Sequence, residues 1–145
     1  MTLEQSINTI IIKTVDGIDI PFNIDVIKQS NTINDILEFT DDNTYIPLLH
    51  EKCTNTVMMK IKEFLDHIYL NPNEDKLLIE YEKSYGNTPL SEWLENYINN
   101  DFNINMLFDI ITVSDYLDIK NLNTLTCSEM AKRIKNTQSI RELFP

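Results

Sequence analysis

Glycine is scarce in this sequence of 145 residues, which contains only Gly17 and Gly86, far apart. A loop that wraps a phosphate group needs clustered glycines, because only glycine lets the backbone approach the phosphate oxygens closely. Histidine and cysteine, the usual residues of catalytic and metal sites, occur only twice each. These shortages exclude a glycine-rich nucleotide loop and argue against an enzyme.

The pair His50 and Cys53, three positions apart, has a spacing that suits half of a metal site or a thiolate and imidazole couple. No second pair completes a metal site, because His67 and Cys127 fall on other predicted helices. We predict no metal, no cofactor and no catalytic residue, with His50 in a loop and Cys53 partly buried. An activity that depends on both residues is kept as an alternative.

Basic residues are also few, with 12 Lys and Arg against 23 Asp and Glu and a net charge of -11. Such a surface repels nucleic acids and anionic membranes. No apolar run reaches the roughly 18 residues of a membrane span, and residues 1–4 lack the basic start of a secretory signal. We expect an intracellular protein, cytoplasmic or nuclear, in a host cell if the gene is viral, with no nucleic-acid or membrane partner and reduced cysteines.

Two segments near the N-terminus, 9–13 and 18–22, are rich in β-branched and aromatic residues. Asp16-Gly17 between them is typical of a hairpin turn, so both segments are predicted strands. A third short strand is predicted near Tyr45 to Pro47.

Helical spacing of apolar residues dominates the rest of the chain. Helices are predicted over 24–29, from Ser30 or Asn31, from Asn55 to about residue 70, from Pro89 with Thr88 as its cap, and over two stretches between 105 and 135. The acidic segment 71–88 is predicted to be an irregular, mobile connection, with a short helix inside it as an alternative. The expected class is α+β, a small sheet flanked by helices and followed by C-terminal helices.

The last two predicted helices meet at a sharp corner, Tyr116-Leu117-Asp118-Ile119-Lys120. Asp118 is placed to cap the second of them. With Leu122 and the pair Thr126-Cys127, this run resembles the signature of the Skp-type adaptors (S-phase kinase-associated protein 1) of cullin ubiquitin ligases.

The resemblance extends to Ile27-Lys28-Gln29-Ser30 and Thr32-Ile33, and it covers nearly the whole chain. It implies a BTB/POZ-like part over 1–104 and a helical, F-box-binding part over 105–145, packed as one compact unit. It also implies a non-enzymatic adaptor that joins the N-terminal domain of a cullin to F-box proteins.

The resemblance assigns contact residues by position. Asp115 and Tyr116 align with an Asn-Tyr pair that contacts the cullin, so Asp115 adds a negative charge where the family often has a neutral amide. The implied F-box-binding residues are Leu122, Leu125, Met130, Ile134, Ile140, Leu143 and Phe144. Judged from the sequence alone, apolar stripes at the C-terminal end fit a core and an interface about equally well.

One departure from the family lies at the C-terminal end, where a further acidic helix usually follows the Ile-Arg pattern and this sequence stops at Pro145. A competitor that binds only one of the two partners is therefore one alternative to the adaptor. A BTB-like homodimer is another, because exposed apolar stripes can pair with themselves.

Overall fold

The computed structural model describes residues 8–39, 45–100 and 102–136. Within these ranges the chain forms a small sheet and seven helices, which confirms the predicted α+β class. The strands are β1 (Thr9–Lys13), β2 (Asp19–Asn23) and β3 (Tyr45–Pro47). The helices are α1 (Ile24–Ile27), α2 (Asn31–Phe39), α3 (Asn55–Leu70), α4 (Pro72–Lys83), α5 (Glu92–Asn100), α6 (Ile104–Tyr116) and α7 (Lys120–Lys135).

The sheet has the strand order β2-β1-β3, with β2 antiparallel and β3 parallel to the central strand. The hairpin between β1 and β2 turns at Gly17, whose φ of 87° lies in the region that only glycine adopts readily. Alternate side chains of the hairpin, Ile10, Ile12, Ile20 and Phe22, are buried in the core. Both predicted strands are confirmed, with β2 shifted by one residue, because β-branched and aromatic residues flank the Asp16-Gly17 turn.

Asp16 in the hairpin turn ties the sheet to α3. Its carboxylate accepts hydrogen bonds from Thr14 Oγ1 (2.5 Å) and from the backbone amide of Asn55 (3.0 Å), the first residue of α3. The bond from Thr14 is the main cause that lowers the pKa of Asp16, and the bond from Asn55 adds to it. The amide of Val15 also donates to the carbonyl of Cys53 (2.9 Å), so the loop before α3 is held against the hairpin.

Helix α3 packs its apolar face into the core, as its sequence predicted. Thr54 caps it through a hydrogen bond from the amide of Val57 (3.4 Å). The buried side chains of α3 are Val57, Met58, Ile61, Phe64, Leu65 and Ile68.

The segment 71–88 contains α4, a helix of 12 residues, so the prediction of an irregular connection is wrong and the alternative of a helix within it is correct. Pro72 lies in the first turn, where the missing N–H costs no intrahelical hydrogen bond. Glu74 and Asp75 follow in the same turn, and their negative charges are favourable beside the free amides of a helix start. The acidic residues that suggested a loop therefore stabilise the start of a helix.

Helix α4 buries only Leu78 and Tyr81, which gives it a weak periodic pattern in the sequence. The phenol oxygen of Tyr81 lies 2.8 Å from Ser128 Oγ and accepts a hydrogen bond from Lys132 Nζ (3.0 Å), and both of these residues are on α7. Gly86 follows with a φ of 82°, and a Cβ there would lie 2.8 Å from Ser128 Oγ. The loop after α4 therefore needs glycine at this position.

The sequence predicted that this helix begins at Pro89, but α5 begins at Glu92. Its N-cap is Ser91, whose Oγ accepts a hydrogen bond from the amide of Leu94 (3.2 Å). Thr88, the predicted cap, instead directs its hydroxyl back to the end of α4, where Ser84 Oγ (2.8 Å) and the carbonyl of Glu80 (3.3 Å) are its acceptors. Proline and threonine thus shape the loop before α5, and serine starts the helix.

Candidate protein-binding surfaces

The corner between α6 and α7 turns at Asp118, whose φ of 51° is left-handed. The prediction that Asp118 caps α7 is wrong, because the cap position is occupied by Ile119 and no side chain caps the helix there. The carboxylate of Asp118 instead accepts a hydrogen bond from Asn31 Nδ2 (3.2 Å) at the start of α2. Asp118 therefore links the corner to the N-terminal half of the chain.

Backbone amides at the start of α2 donate to carbonyls at the end of α6 and in the corner. The amide of Asn31 donates to Asp118 (3.2 Å), and the amide of Thr32 donates to Leu117 (3.3 Å). Ser30 Oγ donates to the same Leu117 carbonyl (2.5 Å) and accepts from an amide in the first turn of α2 (3.1 Å), which confirms it as the cap. Groups that helix ends leave unpaired thus pair with each other.

Tyr116, the last residue of α6, lies on the surface with 36% of its area exposed. Its ring is tilted against the ring of His50, with 5.2 Å between the centroids. Further along α6, Asp109 Oδ1 lies 3.5 Å from Lys52 Nζ. The loop before α3 therefore runs along the exposed side of α6.

Two large apolar side chains are exposed on the same two elements as Tyr116 and His50. Phe108 on α6 is 53% exposed, and Leu49 in the adjoining loop is 81% exposed. We call Leu49, Phe108, Asp115 and Tyr116 the tyrosine patch, a surface with three apolar or aromatic side chains and one exposed carboxylate. Exposed apolar and aromatic side chains on adjoining elements are typical of protein interfaces.

The residues predicted to bind an F-box divide between core and surface. Leu122 and Leu125 are 0% and 1% exposed, so we reassign them as core residues that hold α7 in place. Met130 is half-buried, and Ile134 is 49% exposed. The predicted residues Ile140, Leu143 and Phe144 lie outside the described part of the chain.

Arg133 fixes the last turns of α7, which carry Met130 and Ile134. Its guanidinium donates to the carbonyl of Ile98 at the end of α5 (3.2 Å) and to that of Phe102 just after α5 (2.7 Å). It also donates to the carboxylate of Glu129 (2.8 Å). Charge-assisted hydrogen bonds of this kind are stronger than hydrogen bonds between neutral groups. The exposed side chain of Ile134 is therefore presented by a well-anchored helix.

His50 and Cys53 lie in one turn, where the amide of Cys53 donates to the carbonyl of His50 (3.0 Å), but their side chains have different surroundings. Cys53 is completely buried, and burial raises the pKa of its thiol to about 11, whereas a reactive cysteine has a lowered pKa. His50 Nδ1 accepts a hydrogen bond from the amide of Lys52 (3.0 Å), and its ring lies beside Tyr116. His50 therefore belongs to the surface around the tyrosine patch.

Among the residues that the structure describes, no cluster of three or more histidine, cysteine, aspartate or glutamate side chains is arranged to hold a metal ion. No helix in the described ranges combines the length and apolar character needed to cross a membrane.

The chain is similar to known proteins over most of its length. A protein of Aspergillus flavus named E3 ubiquitin ligase complex SCF subunit sconC is 30% identical over 138 residues, which cover 94% of this chain and 83% of the relative. The S-phase kinase-associated protein 1 homolog of Tetrahymena thermophila is 33% identical over 126 residues, 83% of this chain and 71% of the relative. The chain belongs to the S-phase kinase-associated protein 1 family. No protein-family model matches the chain.

Two segments of this chain resemble the Skp-type signature, one around Ser30 and Thr32 and the other from Tyr116 to Asp118. These are the segments that hydrogen-bond to each other at the corner. The local sequence of these segments predicts neither this contact nor the exposure of Leu49 and Phe108, because both depend on how distant parts of the chain meet in the fold.

Proposed function

We propose that this chain is a non-enzymatic adaptor that links the N-terminal domain of a cullin to F-box substrate receptors in a ubiquitin ligase. The observation that carries the proposal is family membership across nearly the whole chain, with a relative named as a subunit of the SCF complex, an E3 ubiquitin ligase. Ubiquitin transfer would then be performed by other subunits, and this chain would supply two docking surfaces.

The cullin side of the proposal is the tyrosine patch. Tyr116 and Asp115 are the positions that the resemblance assigns to this contact, and both are exposed. Leu49 and Phe108 add exposed apolar area on the same helix and the adjoining loop. Aromatic side chains held on a rigid support are frequent anchors of protein interfaces, and the hydrogen bonds between Ser30, Thr32 and the end of α6 supply that support.

The F-box side is the end of α7 with the segment that follows it. Met130 and Ile134 present partly exposed apolar area there. Ile140, Leu143 and Phe144 are added from the resemblance alone. Leu122 and Leu125 would support this surface from the core instead of touching the partner.

The two proposed surfaces lie at different ends of one pair of packed helices. Helices α6 and α7 share a buried contact through side chains such as Leu107, Ile110 and Leu122. A partner bound at the tyrosine patch and a partner bound at the end of α7 would thus be held at a fixed distance. That geometry suits an adaptor, which works by placing two proteins relative to each other.

The test is a pair of calorimetric titrations, one against a cullin N-terminal fragment and one against an isolated F-box segment. Tyr116→Ala should weaken cullin binding at least about tenfold, the usual loss at an interface anchor, and leave F-box binding unchanged. Ile134→Asp should do the reverse. Tyr69→Ala is the matched control, because Tyr69 is 46% exposed but lies at the opposite end of α3 from the loop that carries Leu49.

The outcomes separate the three candidate functions. Binding to both fragments, with a ternary complex on size-exclusion chromatography, supports the adaptor. Binding to the cullin alone supports the one-sided competitor. A dimer by light scattering that binds neither fragment would favour the homodimeric module and overturn the proposal.

A further inference from the structure

Beside the tyrosine patch, a groove of about 540 Å³ opens between the loop before α3 and the exposed sides of α6 and α7. It is lined by His50, Ile111, Thr112, Asp115, Tyr116, Asn123 and Cys127. Because two of these residues belong to the tyrosine patch, the groove is continuous with the surface proposed to bind a cullin.

The floor of the groove is held rigidly by Asn123 on α7. Its side-chain amide donates to the carbonyl of Ile111 (3.3 Å) and to Ser114 Oγ (3.1 Å), both on α6. Its oxygen faces the thiol of Cys127 at 3.6 Å. The side chain of Ile111 packs against the core, so the groove is a preformed feature between two fixed helices.

The walls combine apolar surface with one negative charge. The rings of His50 and Tyr116 are in contact, and Ile111 and Cys127 add apolar atoms. Among the residues that line the groove, Asp115 is the only carboxylate, and no lysine or arginine is present. Burial raises the pKa of Cys127, and the negative charge of Asp115 raises it further, so the field of Asp115 extends across the groove to α7.

His50 also offers a hydrogen-bond donor to this region. Since its Nδ1 accepts a hydrogen bond from the amide of Lys52, the neutral ring carries its hydrogen on Nε2. A partner with a carbonyl oxygen near the groove would satisfy this donor.

We infer that the groove receives an apolar side chain of the cullin, and that a lysine or arginine next to it in the cullin pairs with Asp115. Three features select this occupant: an apolar interior, a single carboxylate without a basic neighbour in the groove, and a net charge of -11 that favours a basic partner surface. The inference rests on the proposed function and names the chemistry of its cullin contact.

The proposed pairing of Asp115 with a basic residue is tested by titrating a cullin N-terminal fragment into the unaltered chain and two variants, at low and at high salt. Asp115→Asn should weaken binding about threefold to tenfold at low salt, and the loss should shrink at high salt. Asp35→Asn is the matched control, because Asp35 is an exposed carboxylate on α2 and its replacement changes the net charge equally. The control should bind like the unaltered chain.

Occupation of the groove by the cullin is tested by measuring the alkylation rate of Cys127 in the unaltered protein, alone and with a saturating concentration of the cullin fragment. Occupation of the groove should slow alkylation at least about tenfold, while Cys53, which is buried, stays unreactive in both samples. A complex in which Cys127 reacts at its free rate, or in which both aspartate variants bind alike, overturns the inference but not the adaptor. If the unaltered chain does not bind the cullin fragment, the proposed function itself is overturned.

Discussion

Ser30 Oγ donates a hydrogen bond of 2.5 Å to the carbonyl oxygen of Leu117, which lies 87 positions later in the sequence. Ser30 is completely buried, and it also caps α2. One hydroxyl group therefore starts a helix in the N-terminal half and satisfies a carbonyl at the end of α6. The position of Tyr116, one residue before Leu117, depends on this contact.

Ser30→Ala should lower the free energy of unfolding by about 1–3 kcal/mol, because it removes a helix cap and leaves a buried carbonyl without one of its donors. Thr32→Val is the comparison variant. Thr32 Oγ1 donates to the carbonyl of Tyr116 (3.1 Å), but at an exposed position where water replaces the hydroxyl. Urea unfolding should show a clearly smaller loss for Thr32→Val, and equal losses would contradict the role given to Ser30.

The left-handed backbone of Asp118 gives a second prediction. Asparagine tolerates this conformation and keeps an oxygen that can accept from Asn31, so Asp118→Asn should be nearly as stable as the unaltered protein. Asp118→Ala should cost about 1–2 kcal/mol, because alanine is strained at a φ of 51° and loses the hydrogen bond. Asp118→Gly relieves the strain but also loses the hydrogen bond, so its melting temperature should fall between those of the asparagine and alanine variants. If the alanine variant is as stable as the asparagine variant, the backbone at the corner carries no strain.

Burial of Cys53 makes stability depend on pH in the alkaline range. The unfolded thiol loses its proton near pH 9.0, whereas the folded thiol keeps it until about pH 11. The folded state therefore holds one more proton in this window, and stability falls as the pH rises through it. A shift of this size corresponds to about 2–3 kcal/mol.

The measurement is urea unfolding at the two ends of this window, for the unaltered protein and for Cys53→Val. The valine variant is apolar and has no proton to lose, so between pH 9 and pH 11 its free energy of unfolding should fall by about 2 kcal/mol less than that of the unaltered protein. Equal losses in the two proteins would mean that the thiol of Cys53 does not titrate differently on folding.

Pro21 protects the open edge of β2. It lies opposite Ile11, and the hydrogen bond from the amide of Thr14 to the carbonyl of Ile18 (2.8 Å) fixes which pairs of the hairpin are hydrogen-bonded. By the alternation of an antiparallel ladder, the nitrogen of residue 21 faces away from β1. Proline there removes a donor from an edge to which another strand could add.

Pro21→Thr should therefore increase concentration-dependent association in light scattering, since it restores that donor in a residue favoured in strands. Pro89→Thr, in the loop before α5, is the matched control and should not change the apparent mass. If the two variants behave alike, the edge of β2 is protected by something other than its proline.

Local pattern was sufficient to predict the strands and α3. In β1 and β2 β-branched and aromatic residues flank a glycine turn, and in α3 six buried positions repeat at helical spacing. The prediction failed for α4, where only Leu78 and Tyr81 are buried and acidic residues dominate the first turn. A helix held by two side chains leaves too little periodicity to detect.

The candidate binding surface was harder to predict because its geometry is not local. Asp118 was predicted to cap α7 from its position in the sequence, yet it binds Asn31 on α2. The family resemblance predicts a role for Tyr116 but not for Leu49. Leu49 is close to Tyr116 only because the loop before α3 brings its neighbour His50 against the Tyr116 ring. Family resemblance located the corner, and only the fold shows which distant residues surround it.

The contact between Ser30 and Leu117 also bears on the order of events during synthesis. The ribosome delivers the start of α2 long before the carbonyls that it will bind, and closing a loop of this length is slow compared with forming a helix. The surface around Tyr116 is therefore expected to assemble late, after both halves of the domain have met. A chain that exposes a finished tyrosine patch has already completed its fold, so a partner that binds there selects mature molecules over nascent ones.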